Sequence, residues 1–570
     1  MRQLSAHSRK LAGAAGLCLL ASCAVIPFAV DRNATAPVLE GYGRVDTAVT
    51  TNVPAARDAF QRAMLQAYAF NEVEAVRTFK AALALDPQCV LCAWGVAWQL
   101  GPNINSPGRE DFTEHLRYVD YAMRHLGNAT PRERALVESL ALRYAHTSMA
   151  RETAPLMAEV CGKAASEDDE KSHPLDVAYA ARLRSLADAY PDDADILSLY
   201  AEAEIIATEG ESGWTPDGKP RGRIGEVADR LEKLLARQPE HTGINHYMIH
   251  IADAQAVAHR AVPAADRMGR LAPQSPHLLH MPSHIYVHVG RYADGTRVNQ
   301  QSVAADLALA ETQKAQGFSN SKDWRRHDVH FLWYSALMEG RLDVAVDAAR
   351  QRGELTGKST HVYGEYYRSL PLLTLLRLER WDDVLKEPQA TGDHGLAKAN
   401  FEYARGVAQA RLGQLDAAQQ SLARLDSAVA ETAKTHASKS GVDKTVRSML
   451  EFAHEGLRAE LALAQRRYDD AIAHQAKVIT AVEKLDSREP PLLGAGGHLG
   501  LGHIQSRAGR HAEAEATFRK ELEARPASGW ALRGLVQALQ AQGRTAEAAK
   551  YRAELERSWT QASLPLKSGT

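Results

Sequence analysis

The chain has 570 residues, with 68 Lys+Arg against 70 Asp+Glu, for a formal net charge of −2. A balance so close to neutrality offers no basic footprint for nucleic acid or anionic lipid, which excludes a nucleic-acid partner. Aromatics at 6% and charged residues at 24% suit a water-facing helical protein. Beyond the N-terminus no apolar run approaches the roughly 20 residues that a spanning helix needs.

In chain order, residues 1–23 read as a lipoprotein signal peptide. Arg2, Arg9 and Lys10 form a basic start, and Leu11 to Leu20 is an apolar stretch too short to span. It ends in Leu20-Ala21-Ser22-Cys23, which matches the bacterial lipobox, whose Cys takes a diacylglycerol. The alternative is an ordinary cleaved signal with a chance Cys; both place the mature chain outside the cytoplasm. Ala24, rather than Asp, follows the Cys, which in a Gram-negative cell favours the outer membrane. Membrane contact is then through the lipid alone, and residues 24–51, without periodicity, read as a tether.

From residue 52 the pattern is helical and repetitive. One turn recurs, as Gly340-Arg-Leu-Asp-Val-Ala345, Gly413-Gln-Leu-Asp-Ala-Ala418, Gly509-Arg-His-Ala-Glu-Ala514 and Gly543-Arg-Thr-Ala-Glu-Ala548. Looser copies lie at Phe70 to Ala75, Gly290 to Gly295, Trp381 to Val384 and Tyr468 to Ala471. The Gly ends one helix in a left-handed cap, and the acid complements the dipole of the next. Ala75, Phe79, Ala82 and Pro87, and again Ala514, Phe518 and Pro526, hold the small, large, small and stop positions of a tetratricopeptide (TPR) unit. The predicted fold is therefore all-α, an α-solenoid of TPR-like helix-turn-helix repeats. Polar breaks at 162–174, 212–223 and 428–442 suggest an N-terminal block over 52–211, a His-rich central block over 212–430 and a C-terminal block over 431–570. Cys89-Val-Leu-Cys92 opens a repeat helix with no strand nearby, so a buried thiol pair or structural disulfide is expected over a redox or metal role.

The chemistry-bearing pattern is a concentration of histidine. His241, His246, His250, His259, His277, His280, His284 and His288 fall within 48 residues, and His327 and His330 follow. If 245–258 is helical, His246, His250 and Asp253 share one face at i, i+4 and i+7; His280 and His284 do so at i, i+4, and His327 and His330 at i, i+3. Pro282 falls where a helix interior is due, so the backbone should break at Met281-Pro282. Three segments could thus bring His246, His250, Asp253, His280, His284, His327 and His330 to one point as metal ligands, as in helical bundles. Asn245, Tyr247, His277 and Tyr286 stand close by as possible supporting groups. A mostly imidazole set suits copper, zinc, iron or nickel over calcium or magnesium, and six or more candidates allow two metals. Satisfied structural histidines, or an acid/base pocket without metal, are the alternatives.

Several blocks also resemble a family of bacterial secreted tetratricopeptide-repeat proteins. They include Asn245-His-Tyr-Met-Ile-His250, His277-x-x-His280-Met-Pro-Ser-His284-Ile-Tyr286, His327-x-x-His330-Phe-Leu332, Trp94-Gly95 with Gly101-Pro-Asn-Ile-Asn105, and Glu489-Pro-Pro491. The chain departs from that family at Asp253, where Glu is usual, and at Leu492-Leu493, where aromatics are usual. The resemblance implies the repeat fold and an exported location, and no particular activity. No P-loop, dinucleotide fingerprint, G-x-S-x-G or H-E-x-x-H motif is present. Two functions follow: an exported TPR lipoprotein with a transition-metal site, acting as a metal-dependent enzyme such as an oxidase or hydrolase; or a cell-envelope scaffold holding a protein or peptide in the TPR groove without catalysis. Metal ligands must converge within about 2 Å of one point, whereas a scaffold's special residues should line an open groove.

Overall fold

Helices begin where the recurrent turn ends. Gly290, Gly340, Gly413, Gly509 and Gly543 have φ of 76°, 73°, 76°, 73° and 74°, and a new helix starts two residues after each: Tyr292–Ala315, Leu342–Leu355, Leu415–Thr435, His511–Ala524 and Thr545–Ser558. The looser copies put Phe70, Glu379 and Arg466 in the same left-handed conformation, with φ of 52°, 59° and 61°. A side chain there is strained by about 1–3 kcal/mol, so something else must hold it.

The computed structural model describes residues 28–105, 112–162, 172–208, 213–319, 323–485, 489–494 and 496–563. The signal segment with Cys23 lies outside them. The described residues form an α-solenoid of TPR-type helix pairs, with one isolated bridge, Trp214 to Pro220, in place of any sheet. Each helix packs on its successor and often on the one beyond: Leu396–Arg411 lies against both Leu415–Thr435 and Gly441–Ala464. The small–large logic of the repeat is repeated at both ends. Phe79 is fully buried, and a Cβ on Gly95 would stand 2.5 Å from its ring. Sixteen positions after Phe518, as Gly95 is after Phe79, Gly534 approaches the Phe518 ring to 2.4 Å by the same measure. No helix among the described residues is long and apolar enough to cross a membrane.

Three features differ from, or add to, the expected organisation. Residues 28–51, expected as a tether, lie against the body where described: Phe28 packs edge-on to Tyr118, Val38 exchanges hydrogen bonds with the Gln316 side chain, and the Arg44 amide donates to Thr242 Oγ1. The apolar core falls into two large clusters, one running to Leu309 and one from Tyr292, which meet at the long helix Tyr292–Ala315. The first cluster holds Leu199 and Trp214, on either side of the boundary expected at 212, and the second holds Ala428 and Val446, on either side of that expected at 431. Cys89 and Cys92 form a buried disulfide at the start of helix Val90–Leu100.

The C-terminal half closes on itself. Trp530 Nε1 donates to the Leu337 carbonyl and Trp559 Nε1 to that of Met338, both at 2.9 Å. The Ser563 amide reaches the Gly340 carbonyl, and the Tyr366 hydroxyl bonds the Leu492 carbonyl. This closure carries residues 489–494 back to the centre of the chain. Gly290 lies at the seam, where a Cβ would stand 2.3 Å from the Pro526 carbonyl oxygen.

Gly290→Ala should therefore cost about 2 kcal/mol or more in denaturant unfolding, since it adds a backbone collision to left-handed strain. Gly413→Ala, with the same φ and nothing within 4 Å, should cost only the strain, about 1 kcal/mol. Equal losses would show that the seam is not under this constraint.

Candidate metal centre

Two helical segments deliver most of the site. Helix Thr242–Ile251 carries His246 and His250, with the His241 side chain capping its start. Asp253 does not continue that helix; it lies in the turn beyond Ile251, so its placement is tertiary rather than helical. At Met281-Pro282 the chain breaks into two short helices, Pro276–His280 and Pro282–His288, with Met281 itself at φ −49° and ψ −39°. The proline removes a backbone donor without turning the chain aside, and His277, His280, His284 and His288 follow one another along it. Helix Arg325–Glu339 supplies His327 from the neighbouring pair.

The histidines meet in two groups of three: His246, His250 and His277, and beside them His280, His284 and His327. Within each, one ligand atom per residue lies within 4.8 Å of the others. His246 Nε2 is 3.1 Å from His250 Nε2 and 3.2 Å from His277 Nε2, and His280 Nε2 is 3.0 Å from His284 Nε2. Nitrogens bound at 2.0–2.1 Å to one tetrahedral ion stand about 3.3–3.4 Å apart, so these spacings match a ligand set slightly contracted.

The outer nitrogens decide which way the lone pairs face. His246 Nδ1 donates to the Tyr68 carbonyl at 2.6 Å. His280 Nδ1 donates to Asn299 Oδ1 at 2.7 Å, and Asn299 is oriented because its Nδ2 donates to the Gly295 carbonyl. Asp328 stands 3.5 Å from the same His280 nitrogen and accepts from Ser302. His284 Nδ1 lies between Asp253 Oδ2 at 2.9 Å and Glu489 Oε2 at 3.0 Å. With each Nδ1 protonated, the Nε2 lone pairs of His280 and His284 face one another. Two facing lone pairs repel unless a cation, either a proton or a metal, lies between them. Metal-binding histidines show this arrangement of inner nitrogen free and outer nitrogen held.

Asp253, His288 and Glu489 make a third, more exposed group, with His288 Nε2 3.2 Å from Asp253 Oδ1. Aromatic rings close the site. Phe70, strained at its turn, stacks on His250 and His277 and leans on His246. Trp324 stacks on His277, and Phe331 packs against His280, His284 and His327. One side stays open: a cavity of about 810 Å³ is bounded by His250, Asp253, His284, His288, Phe331 and Glu489. It touches a member of each group of three.

Electrostatics separate the residues into two sets. Burial, reinforced by neighbouring imidazoles, presses His246 and His280 well below the ordinary histidine value, His250 to about 4 and His327 to about 3. Burial also opposes charge on His284, but Asp253 and then Glu489 outweigh it and lift it to about 10. Asp253 resists its own burial because His284 and His288 hold it ionised. Most of the cluster is thus neutral imidazole, the form that ligates metal, with one carboxylate-supported histidine at its edge.

Several expected positions are corrected. His330 belongs to neither group; it stacks on Trp333 and faces Tyr366 and Tyr367, because i+3 from His327 turns it away from His280 and His284. His277, expected in support, stands among the ligand atoms, while Asp253 supports His284 through its outer nitrogen. Asn245 instead bonds the carbonyls of Pro239 and His241, and Tyr286 bonds Asp266. Tyr247 packs on Phe70 and beside His246. Phe70, Asn299, Asp328 and Glu489 were not anticipated as site residues. Phe70 carried a signal, an aromatic where the turn favours Gly; Glu489 stood in the Glu-Pro-Pro block; Asn299 and Asp328 carried none.

No family model and no curated protein matches this chain. Among solved structures it is similar to the P58(IPK) TPR domain at 13% identity and TM-score 0.18, covering 60% of this chain and 93% of that one. It is similar to yeast Tom70 at 13% identity and TM-score 0.24, covering 89% and 94%. The Cut9–Hcn1 hetero-tetramer of the APC/C gives 13%, 0.26, 89% and 90%. The fold class rests on the helix pairs themselves.

The neutral histidines predict acid lability of the metal-free protein. His250 and His327 have folded values near 4 and 3 against about 6.5 unfolded, so below pH 6.5 the unfolded chain takes up more protons. Their contribution is whole above pH 6.5 and is lost as pH falls toward 4 and 3. Melting temperature should drop between pH 7 and pH 4.5, and His250→Gln should flatten the slope; an unchanged slope would contradict this placement.

Proposed function

We propose that this chain is an exported, lipid-anchored TPR protein holding a transition-metal centre of two adjacent three-imidazole sites, with the chemistry of a metal-dependent enzyme. The observation that carries the reading is the pair His280 and His284, whose inner nitrogens face each other at 3.0 Å while both outer nitrogens are held by acceptors. A donor set of neutral imidazoles suits copper, zinc or iron. His246, His250 and His277 would hold one ion and His280, His284 and His327 a second. A bound metal there supplies Lewis-acid or redox chemistry. The chain's own residues do the rest. Tyr68, Asn299, Asp253 and Glu489 fix ring orientation, Phe70, Trp324 and Phe331 exclude water, and the adjoining cavity admits a small molecule.

A repeat scaffold of this class is compatible with a protein or peptide partner, and binding without catalysis is the second reading. Inward convergence of the histidines favours the first, since groove residues that grip a peptide have no need to point at one another. Export and anchoring at Cys23 rest on the basic start, the short apolar run and the lipobox.

Elemental analysis of protein purified from its native envelope should find two transition-metal ions per chain. His246→Ala and His284→Ala should each remove one, the double variant both, and His330→Ala neither; equal metal in wild type and double variant would overturn the reading. Asp253→Ala should weaken the second site about 10–100-fold by releasing the outer nitrogen of His284. Cys23→Ser should move the protein from the membrane to the soluble envelope fraction and abolish labelling by radioactive palmitate.

A further inference from the structure

The closed C-terminal half contains a second cavity, about 240 Å³ in volume, whose lining includes none of the histidines of the two groups of three. Its walls are apolar and aromatic, including Trp333, Leu370, Trp381, Tyr403, Phe452 and Trp530. Three arginines and two glutamates also line it. Arg411 is paired with Glu460 at 2.7 Å, and Arg533 reaches Glu379 at 3.4 Å. Arg377 is left over. Its Nε and Nη2 are shielded from solvent and meet no hydrogen-bond acceptor, and its guanidinium lies 4.4 Å from the centre of the Trp530 ring.

Arg377 as a whole is only partly buried, and a guanidinium partly withdrawn from water gains from an anion beside it. Glu379 and Glu521 favour its charge from a distance, but Glu379 is already paired with Arg533 and Glu521 with Arg525. His503 stays neutral, held to about 3 by burial and by Arg411, and it accepts from Arg411 Nη1 at 2.8 Å. Burial lowers Arg377 only to about 10, so it remains a cation near neutral pH. Counting formal charges around the cavity, three cations face two anions, which leaves room for one negative charge.

We propose that this cavity is a binding site for a small apolar monocarboxylate, its carboxylate on Arg377 and its hydrocarbon against the leucine and aromatic walls. Arg377 lines the cavity and is only partly buried, so the exposed part of its guanidinium can meet a carboxylate there. Trp530, held by the Leu337 carbonyl, forms part of the cavity wall, and a space of this volume favours a compact molecule over an extended peptide. The site is separate from the histidine cluster and stands whether or not metal binds there.

The test is calorimetric titration of metal-free, full-chain protein with octanoate, octan-1-ol and N-acetyl-trileucine amide. Octanoate should bind at one site, at least about tenfold more tightly than the alcohol, since a desolvated charge-assisted pair is at stake. Arg377→Met, which keeps the apolar stem, should erase that preference, and Arg377→Lys should retain most of it. Octanoate that does not bind, binds no better than octan-1-ol, or binds Arg377→Met as well as wild type would overturn the proposal, as would tighter binding of the peptide. Should Arg377→Met fail to fold by circular dichroism, wild type alone decides. 2-Bromooctanoate should quench tryptophan fluorescence and be displaced by octanoate but not by octan-1-ol; equal displacement by both would overturn it.

Discussion

Six imidazoles packed against one another and against aromatic rings cannot all carry charge, and that constraint organises the middle of the molecule. Four of them are driven to the neutral form by burial. Neutral rings must place one N–H and one lone pair each. On His246 and His280 the outer partners, the Tyr68 carbonyl and Asn299, take the N–H groups, so the lone pairs turn inward; Asp253 and Glu489 hold the outer N–H of His284. What repels as an empty arrangement becomes favourable with a cation at its centre. The surrounding helices pay for this order through their own packing, which is why the site sits where two large apolar clusters meet rather than on the rim.

A TPR array is well suited to such a task because each helix pair is placed by its neighbours. His246 and His250 come from one pair, His277 to His284 from the next, and His327 from a third. Departures from the regular repeat occur where the site needs them. Pro282 divides a helix, and Phe70 occupies a left-handed turn position that takes Gly at 290, 340, 413, 509 and 543. The strain at Phe70 is offset by three ring contacts with the cluster. Closure of the C-terminal half then adds Glu489, more than 200 residues from His284 in sequence.

That closure also creates the second cavity. Trp530, one of the two tryptophans that seal the ring, also lines a space with one arginine outside any ion pair. The protein thus has two differently built interiors. One is rich in neutral nitrogen donors and bordered by carboxylates; the other is hydrocarbon with a single excess positive charge.

The sequence by itself determined the repeat fold, because the recurrent turn, most often with Gly, and the alternation of small and large residues act locally, over one or two helices. It also marked the histidine segments, since i, i+4 spacing fixes a shared face once a helix exists; His246 with His250 and His280 with His284 were legible on that ground. It misplaced His330, because i, i+3 puts two residues on one face without saying how that face is rotated toward a neighbour. It extended a helix through Asp253 that ends at Ile251. Only the tertiary structure decided that His277 joins the ligand atoms, that Asn299 and Glu489 hold the outer nitrogens, and that Arg377 is left without a partner. Each of these depends on contacts between helices distant along the chain, where angle and depth are set by packing of the whole array and leave no local trace in the residues themselves.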